Sequence, residues 1–152
     1  MGLIVRDITM AELFGADNIN ELIDEYADES KVEGLPKQNA KISMYEAMEK
    51  ANAIKSIGAF FDDKLIGFIL LIAPIMPHYD ARLAVTESFF VSKEYRKTGA
   101  GLKLINVAKE YTKNQNACGL MLTAPEGSDL AKVLPKVGCK ESNRVFFWRT
   151  PK

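Results

Sequence analysis

Histidine and tryptophan occur once each in these 152 residues, and cysteine twice. His78 stands alone in the turn-like segment 77–80. A His-based zinc site therefore lacks ligands, and no metal is expected. Cys118 and Cys139 are not spaced as a redox or metal pair and read as small thiols in a reducing compartment. No apolar run approaches the length of a membrane span. The longest, 66–75, is broken by Gly67 and Pro74 and reads as a buried strand. At the N-terminus charge follows the short apolar run instead of preceding it, against a signal peptide. Residue 6 is Arg6, not the Ser or Thr that myristoylation needs. Neither a membrane nor a nucleic acid is expected as a partner, and the expected location is cytoplasmic.

An overall charge is missing too, since 20 Lys and Arg balance 20 Asp and Glu. The charges are nonetheless sorted along the chain. Residues 1–50 carry net −6, residues 51–91 net −1 and residues 92–152 net +7. An acidic first third and a basic last part suggest two different ligands. At 47% hydrophobic and 26% charged, the composition is that of an ordinary globular protein. The length fits a single domain over 1–152 with a real core.

Residues 3–8 alternate as a first strand. Thr9 and Glu12 form a capping-box pattern that opens a helix to about residue 28, with Gly15 loosening its first turn. Residues 29–41, with Gly34 and Pro36, read as a loop. Ser43 and Glu46 make a second capping box, for a helix to about residue 53. Two strand-like runs, 56–61 and 65–73, are joined at Asp62–Asp63–Lys64, the best hairpin signal in the chain. A loop over 74–82 leads to a strand at 83–91 and a helix at 102–114. A buried strand at 119–124, a turn at 125–128, a helix at 129–137 and a last strand at 144–149 complete the chain. Pro135 is expected to kink or end that late helix, and Gly138 to cap it. The order is β-α-α-β-β-β-α-β-α-β, a mixed α/β domain whose sheet lies between helices.

The chain is organised around residues 85–102, an apolar strand that runs into a short basic glycine-containing loop and then a helix. Amides at a helix start lack intrahelical acceptors, and the helix dipole favours an anion there. Arg96 and Lys97 stand beside that start. The loop is therefore read as holding a pyrophosphate, and the preceding strand as the place of chemistry.

At 85–101 the chain resembles the GCN5-related N-acetyltransferase (GNAT) family. The family's Arg/Gln-x-x-Gly-x-Gly/Ala signature stands here as Arg96–Lys97–Thr98–Gly99–Ala100–Gly101. Its lead-in is present as Glu87, four residues before Val91, followed by Glu94–Tyr95–Arg96. The remaining elements follow the family's order, so the resemblance covers nearly the whole chain. It implies a GNAT-type mixed central sheet flanked by helices, and transfer of an acetyl group from acetyl-coenzyme A to a primary amine. The acceptor would be a small cationic amine, an aminoglycoside, or a protein lysine or N-terminus.

The resemblance implies roles for particular residues. The amides from Lys97 through Thr98, Gly99, Ala100 and Gly101 to Leu102 would bind the pyrophosphate, with Arg96 and Lys97 near its charge. The backbone of Phe89, Phe90 and Val91 would pair with the pantetheine arm, and a backbone N–H near Val91 would meet the oxyanion. Glu87 is the candidate base or acceptor anchor. Strand alternation places it on the face of Phe89 and Val91, opposite Ser88 and Phe90. Tyr26, Glu29, Tyr45 and Glu87 are candidates for the acceptor site, in an acidic region with Asp24, Glu25, Asp28 and Glu33. The family's usual general acid is a tyrosine four residues before the closing glycine, and that position is Leu134. Tyr111 and Ser128 are substitutes, and Ser128 also stands in for an asparagine near the coenzyme. Leu134 motivates an alternative: a weak or inactive GNAT-fold module that binds coenzyme A or another protein. A homodimer is one assembly the sequence allows.

Overall fold

The computed structural model describes residues 2–151. Its elements in chain order are β1 (Leu3–Asp7), α1 (Met10–Phe14), α2 (Ile19–Ser30), α3 (Ile42–Lys50), β2 (Lys55–Phe61) and β3 (Lys64–Ile72). There follow β4 (Ile75–Met76), β5 (Ala81–Arg82), β6 (Ala84–Val91), α4 (Ala100–Asn114), β7 (Leu120–Met121) and α5 (Asp129–Val133). One five-stranded sheet runs β1-β2-β3-β6-β7, while β4 and β5 form a separate small ribbon. Within the large sheet only β6 and β7 are parallel.

Apolar residues on the two faces of β3 enter different cores. Ile66, Ile69 and Leu71 pack with Ala100, Leu104, Ile105 and Ala108 of α4. Leu65, Phe68 and Leu70 pack with Leu13, Ile19 and Leu22 of α1 and α2. A strand covered on both faces needs no polar alternation, and 65–71 has none. The β2–β3 hairpin forms as expected. Asp62 and Asp63 both take positive φ (48° and 68°), the geometry of a primed two-residue turn.

The first helix is broken in two. Thr9 caps α1 and the reciprocal Glu12 bond is made, but α1 stops at Gly15. A Cβ at Gly15 would meet the Ala11 carbonyl oxygen at 2.7 Å, so the tight end tolerates only glycine. Asn18 then spends its amide on the Leu65 carbonyl of β3 (2.8 Å), which fixes where α2 begins. The second capping box does not form: the N-cap is Lys41, two residues before Ser43, and it makes no side-chain cap. Residues 74–82, read as loop, carry the β4–β5 ribbon. β7 is two residues long because the chain leaves β6 after Met121. The late helix turns into a 3-10 helix, Leu134–Val137, at Pro135, and Gly138 closes it at φ 91°. Residues 144–149 are not a strand; 139–150 are irregular.

Candidate active site

β6 and the junction after it position the site. Ser92 N–H donates to the Ile66 carbonyl at 2.8 Å. Alternation along an antiparallel ladder then turns the backbone groups of Val91 and Phe89 to the opposite edge, away from β3. On that edge β7 pairs only with Ala84 and Val85. A V-shaped gap therefore opens beside 86–91, bridged at its apex by Thr123 N–H donating to Thr86 Oγ1 (3.2 Å). Phe89 and Val91 send their side chains into the α4 core, and Phe90 into the α1–α2 core. Their backbone is what the gap presents.

After Val91 the chain makes a 3-10 helix, Lys93–Thr98, and passes Gly99 at φ 89° into α4. The left-handed value needs glycine there. The start of α4 is two residues earlier than the sequence pattern suggested, because Ala100 is fully buried and anchors the first turn. Thr98 Oγ1 donates to the Tyr95 carbonyl (2.6 Å) and accepts from Ala100 N–H (3.3 Å). No side chain caps this 15-residue helix. A Cβ at Gly99 would meet nothing within 4 Å, and one at Gly101 only a Val91 methyl at 3.9 Å. The helix start is thus an uncapped set of amides with open space in front, the shape an anion requires. Lys97, Leu102 and Lys103 are exposed around it.

Arg96 does a different job from its two neighbours. Its Nε donates to the Val91 carbonyl (2.9 Å), and its two terminal nitrogens bond Glu29 (2.5 Å) and Asp129 (2.9 Å). The guanidinium also lies 5.5 Å from the Phe90 ring centroid. Burial works against its charge, but the bonds to Glu29 and Asp129 outweigh this and push its pKa up. One arginine therefore ties α2, β6 and α5 together. Glu25, one turn before Glu29, accepts from Ser92 Oγ (2.9 Å) and Lys93 N–H (2.8 Å). Asp129 as a partner of Arg96 escaped the sequence reading. The spacing of Glu25 and Glu29 at i, i+4, one helix face, was the available signal for the other two.

Glu87 does not share the face of Phe89 and Val91. The β3–β6 register passes from Leu70↔Ser88 to Leu71↔Thr86, leaving Glu87 as the extra residue of a β-bulge. The bulge undoes strict alternation and sends the carboxylate toward α3, where Tyr45 Oη donates to Glu87 Oε2 at 2.9 Å. Tyr45 packs with the α1–α2 core, as does Tyr26, whose ring meets Phe68 edge to face (5.9 Å) and Phe90 at a tilt (5.3 Å). The structure thus brings Tyr26, Tyr45 and Glu87 together. Glu29, one turn on from Tyr26 in α2, is engaged by Arg96. Ser128 caps α5 by accepting from Ala131 N–H (3.2 Å), next to Asp129. Tyr111 sits 11 residues beyond the first residue of α4, about 17 Å along the helix from its start. Leu134 is buried in the α4 core.

Burial, the neighbouring Glu87 charge and the bond to Glu87 push the Tyr45 hydroxyl well above the ordinary tyrosine range. Burial also raises Tyr26, offset by its bond to the Phe89 backbone and reinforced by Glu87. Both therefore stay protonated where an unfolded tyrosine ionises, near 10.0. Unfolded chain binds fewer protons above that pH, so unfolding free energy is expected to fall as pH rises past about 10. Urea titrations from pH 8 to 11 check this, and Tyr45→Phe should flatten the fall. An equal slope in the variant would show that Tyr45 is not held neutral by the fold.

Among the described residues, no group of three or more His, Cys, Asp or Glu could hold a metal ion, and no helix is long and apolar enough to cross a membrane. The sequence profile of the Acetyltransferase (GNAT) family matches residues 18–134. No curated protein matches the sequence. Among solved structures, a ribosomal-protein-alanine N-acetyltransferase from Brucella melitensis biovar Abortus 2308 superimposes with a TM-score of 0.77 at 19% identity, covering 100% of both chains. AAC(6')-Iy in complex with the bisubstrate analog CoA-S-monomethyl-acetylneamine gives 0.72 at 22% identity, again over 100% of both chains. An aminoglycoside acetyltransferase from an uncultured soil metagenomic sample, in complex with sisomicin, gives 0.73 at 16% identity, covering 99% of this chain and 97% of the other.

Proposed function

The chain belongs to the GNAT family of acetyltransferases, and from that premise we propose that it moves an acetyl group from acetyl-coenzyme A directly to a primary amine, with Glu87 as general base. The uncapped start of α4 beside the open edge of β6 carries this reading. The Gly99, Gly101 and Leu102 amides suit the pyrophosphate, the Ala100 amide being held by Thr98 Oγ1, and the backbone of Phe89 and Val91 suits an extended amide-bearing arm. Lys97 adds positive charge. Arg96 supports the loop by holding the Val91 carbonyl.

The chemistry follows from the side chains around that edge. The acceptor arrives as an ammonium and must lose a proton before it can attack. Glu87, exposed and held by Tyr45, takes that proton directly or through one water. The amine nitrogen then bonds to the thioester carbonyl carbon, and the carbonyl oxygen gains charge that the Val91 N–H can meet. The C–S bond breaks, the nitrogen releases its second proton to solvent to leave the neutral amide, and the thiolate takes a proton from solvent, since Leu134 supplies none. The acceptor is a cationic amine. Asp24, Asp28 and Glu33 remain exposed on α2 and the following loop to attract it, whereas Glu25 and Glu29 are spent on the 92–96 segment. An aminoglycoside and a protein N-terminus both meet that description.

Titration calorimetry with acetyl-coenzyme A is expected to show one site per chain, followed by turnover on at least one member of an amine panel. No detectable binding would sink the proposal. Binding without turnover on any amine would favour the coenzyme-binding module instead.

A further inference from the structure

Helix α2 is fastened to the C-terminal end of β6 at two points one turn apart. Glu25 accepts from Ser92 Oγ (2.9 Å) and Lys93 N–H (2.8 Å). Glu29 bonds Arg96, whose Nε holds the Val91 carbonyl. Tyr26 lies between these fastenings. Its ring is wedged against Phe90 of β6 (5.3 Å) and Phe68 of β3 (5.9 Å), which leaves it little room to swing. The Phe89 N–H, turned away from β3, has no strand to receive it on its own edge, since β7 pairs only with Ala84 and Val85. The Tyr26 hydroxyl oxygen receives it.

The two tyrosines of this region differ in what their hydrogens do. The Tyr45 O–H goes to Glu87. Among the described residues, no side chain or carbonyl accepts the Tyr26 O–H. A half-buried donor without an acceptor costs free energy until something arrives to take it. Its oxygen already accepts an N–H, which polarises the O–H and makes it a better donor. The Phe89 and Val91 N–H groups face the same edge about 6.6 Å apart, two residues at about 3.3 Å each. An acyl oxygen between them would meet the Val91 N–H from one side and the Tyr26 O–H from the other.

We propose that Tyr26 is a catalytic hydrogen-bond donor, its hydroxyl giving the thioester carbonyl oxygen a second bond beside that of the Val91 N–H. The inference rests on the acetyl transfer proposed above. As the amine nitrogen bonds to the carbonyl carbon, the C=O π pair moves onto the oxygen that Tyr26 holds. On collapse the pair returns and the C–S bond breaks. Tyr26 keeps its proton throughout. Burial and the Glu87 charge hold its hydroxyl above the ordinary tyrosine value of 10.0, against the weaker opposing effect of the Phe89 bond. A thiol ionises at about 8.5, so handing the proton to the departing thiolate would be uphill, whereas donating a hydrogen bond is not. The titratable groups facing Tyr26 are Glu87 of β6 and Tyr45 of α3.

Tyr26→Phe keeps the ring and removes the hydroxyl. On an amine that the unaltered enzyme acetylates, kcat should fall about 100-fold, with the amine KM and the acetyl-coenzyme A dissociation constant little changed. The loss should be equal at pH 7 and pH 9, because the donor is neutral at both. Acetyl-coenzyme A carrying carbon-13 at the carbonyl gives a readout that needs no acceptor. Its resonance should move downfield on binding to the unaltered chain, and part of that displacement should vanish in Tyr26→Phe. An unchanged kcat, a loss confined to the amine KM, or a bound carbonyl resonance identical in the two proteins overturns the proposal. Should the variant fail to fold, 3-fluorotyrosine at position 26 keeps the shape and strengthens the donor. The bound carbonyl must then move further downfield, and a resonance that stays in place rejects the role. Failure of the broader reading looks different: the unaltered chain itself would not bind the labelled coenzyme, and both readings would fall together.

Discussion

Glu87→Gln is expected to lower kcat by about 10²–10⁴-fold at neutral pH while leaving acetyl-coenzyme A affinity unchanged. The substitution keeps the shape of the side chain and a carbonyl oxygen for the Tyr45 hydroxyl, which bonds Glu87 Oε2 at 2.9 Å. It removes only the ability to take a proton. Glu87 is not among the helix-start amides proposed to hold the pyrophosphate, so coenzyme affinity has no reason to move. The variant can still use whatever fraction of the acceptor is already neutral. A lysine-like amine loses its proton near pH 10.4, so the variant's rate should climb with pH toward that of the unaltered enzyme. A variant as fast as the unaltered enzyme at pH 7 would remove Glu87 from the mechanism. A slow variant with no recovery at high pH would point to acceptor anchoring, because a lost contact does not return with pH. Tyr45→Phe separates positioning from acid–base work. It should cost less than Glu87→Gln, and its loss should not recover in parallel with the neutral amine fraction.

What could be read from the sequence was local. Asp62–Asp63 specifies a turn by the positive φ those residues tolerate, so the hairpin was legible. Gly99 and the basic loop around it were legible for the same reason, since an uncapped helix start after glycine is a property of a few adjacent residues. Glu87 was visible as a carboxylate in an apolar strand, but its direction was not. Alternation predicts the wrong face because the bulge between Leu70 and Leu71 belongs to the pairing of two strands, and no single strand encodes it. Gly15 was noticed as a weak point, yet the break it makes depends on Asn18 reaching Leu65, 47 residues away. Glu29 looked like part of an acidic acceptor surface because a sequence shows charges without their partners, and its partner is Arg96. The 144–149 strand failed for a related reason. Strand propensity belongs to a segment, but a strand needs a neighbour, and among the described residues none pairs with it.

Gly101→Asp should separate the stability of the signature loop from its function, moving the two in opposite directions. Gly101 is the second residue of α4, and a Cβ there meets only a Val91 methyl at 3.9 Å, so the side chain fits. Replacing a helical glycine removes an entropic cost that is about 0.5–1 kcal/mol against alanine and about a few tenths of a kcal/mol against aspartate. A carboxylate in the first turn adds about 0.3–1 kcal/mol through the helix dipole. The folded protein should therefore gain stability, seen as a raised urea midpoint with an unchanged slope. The same carboxylate occupies the place argued for the pyrophosphate and repels it. Two like charges about 4 Å apart near a surface oppose each other by about 4 kcal/mol before salt screening. Acetyl-coenzyme A affinity should accordingly fall on the order of 100-fold, which is about 2.7 kcal/mol. Raising the salt should recover part of that loss, because charge repulsion is screened and a steric block is not. Gly101→Asn is the control: it fills the same space without the charge and should lose far less affinity. If the aspartate variant is stabilised yet binds the coenzyme normally, the phosphates do not sit at the start of α4. The family's usual division between loop and strand would then not describe this chain, and Glu87 would have to be judged without reference to where that loop places the thioester.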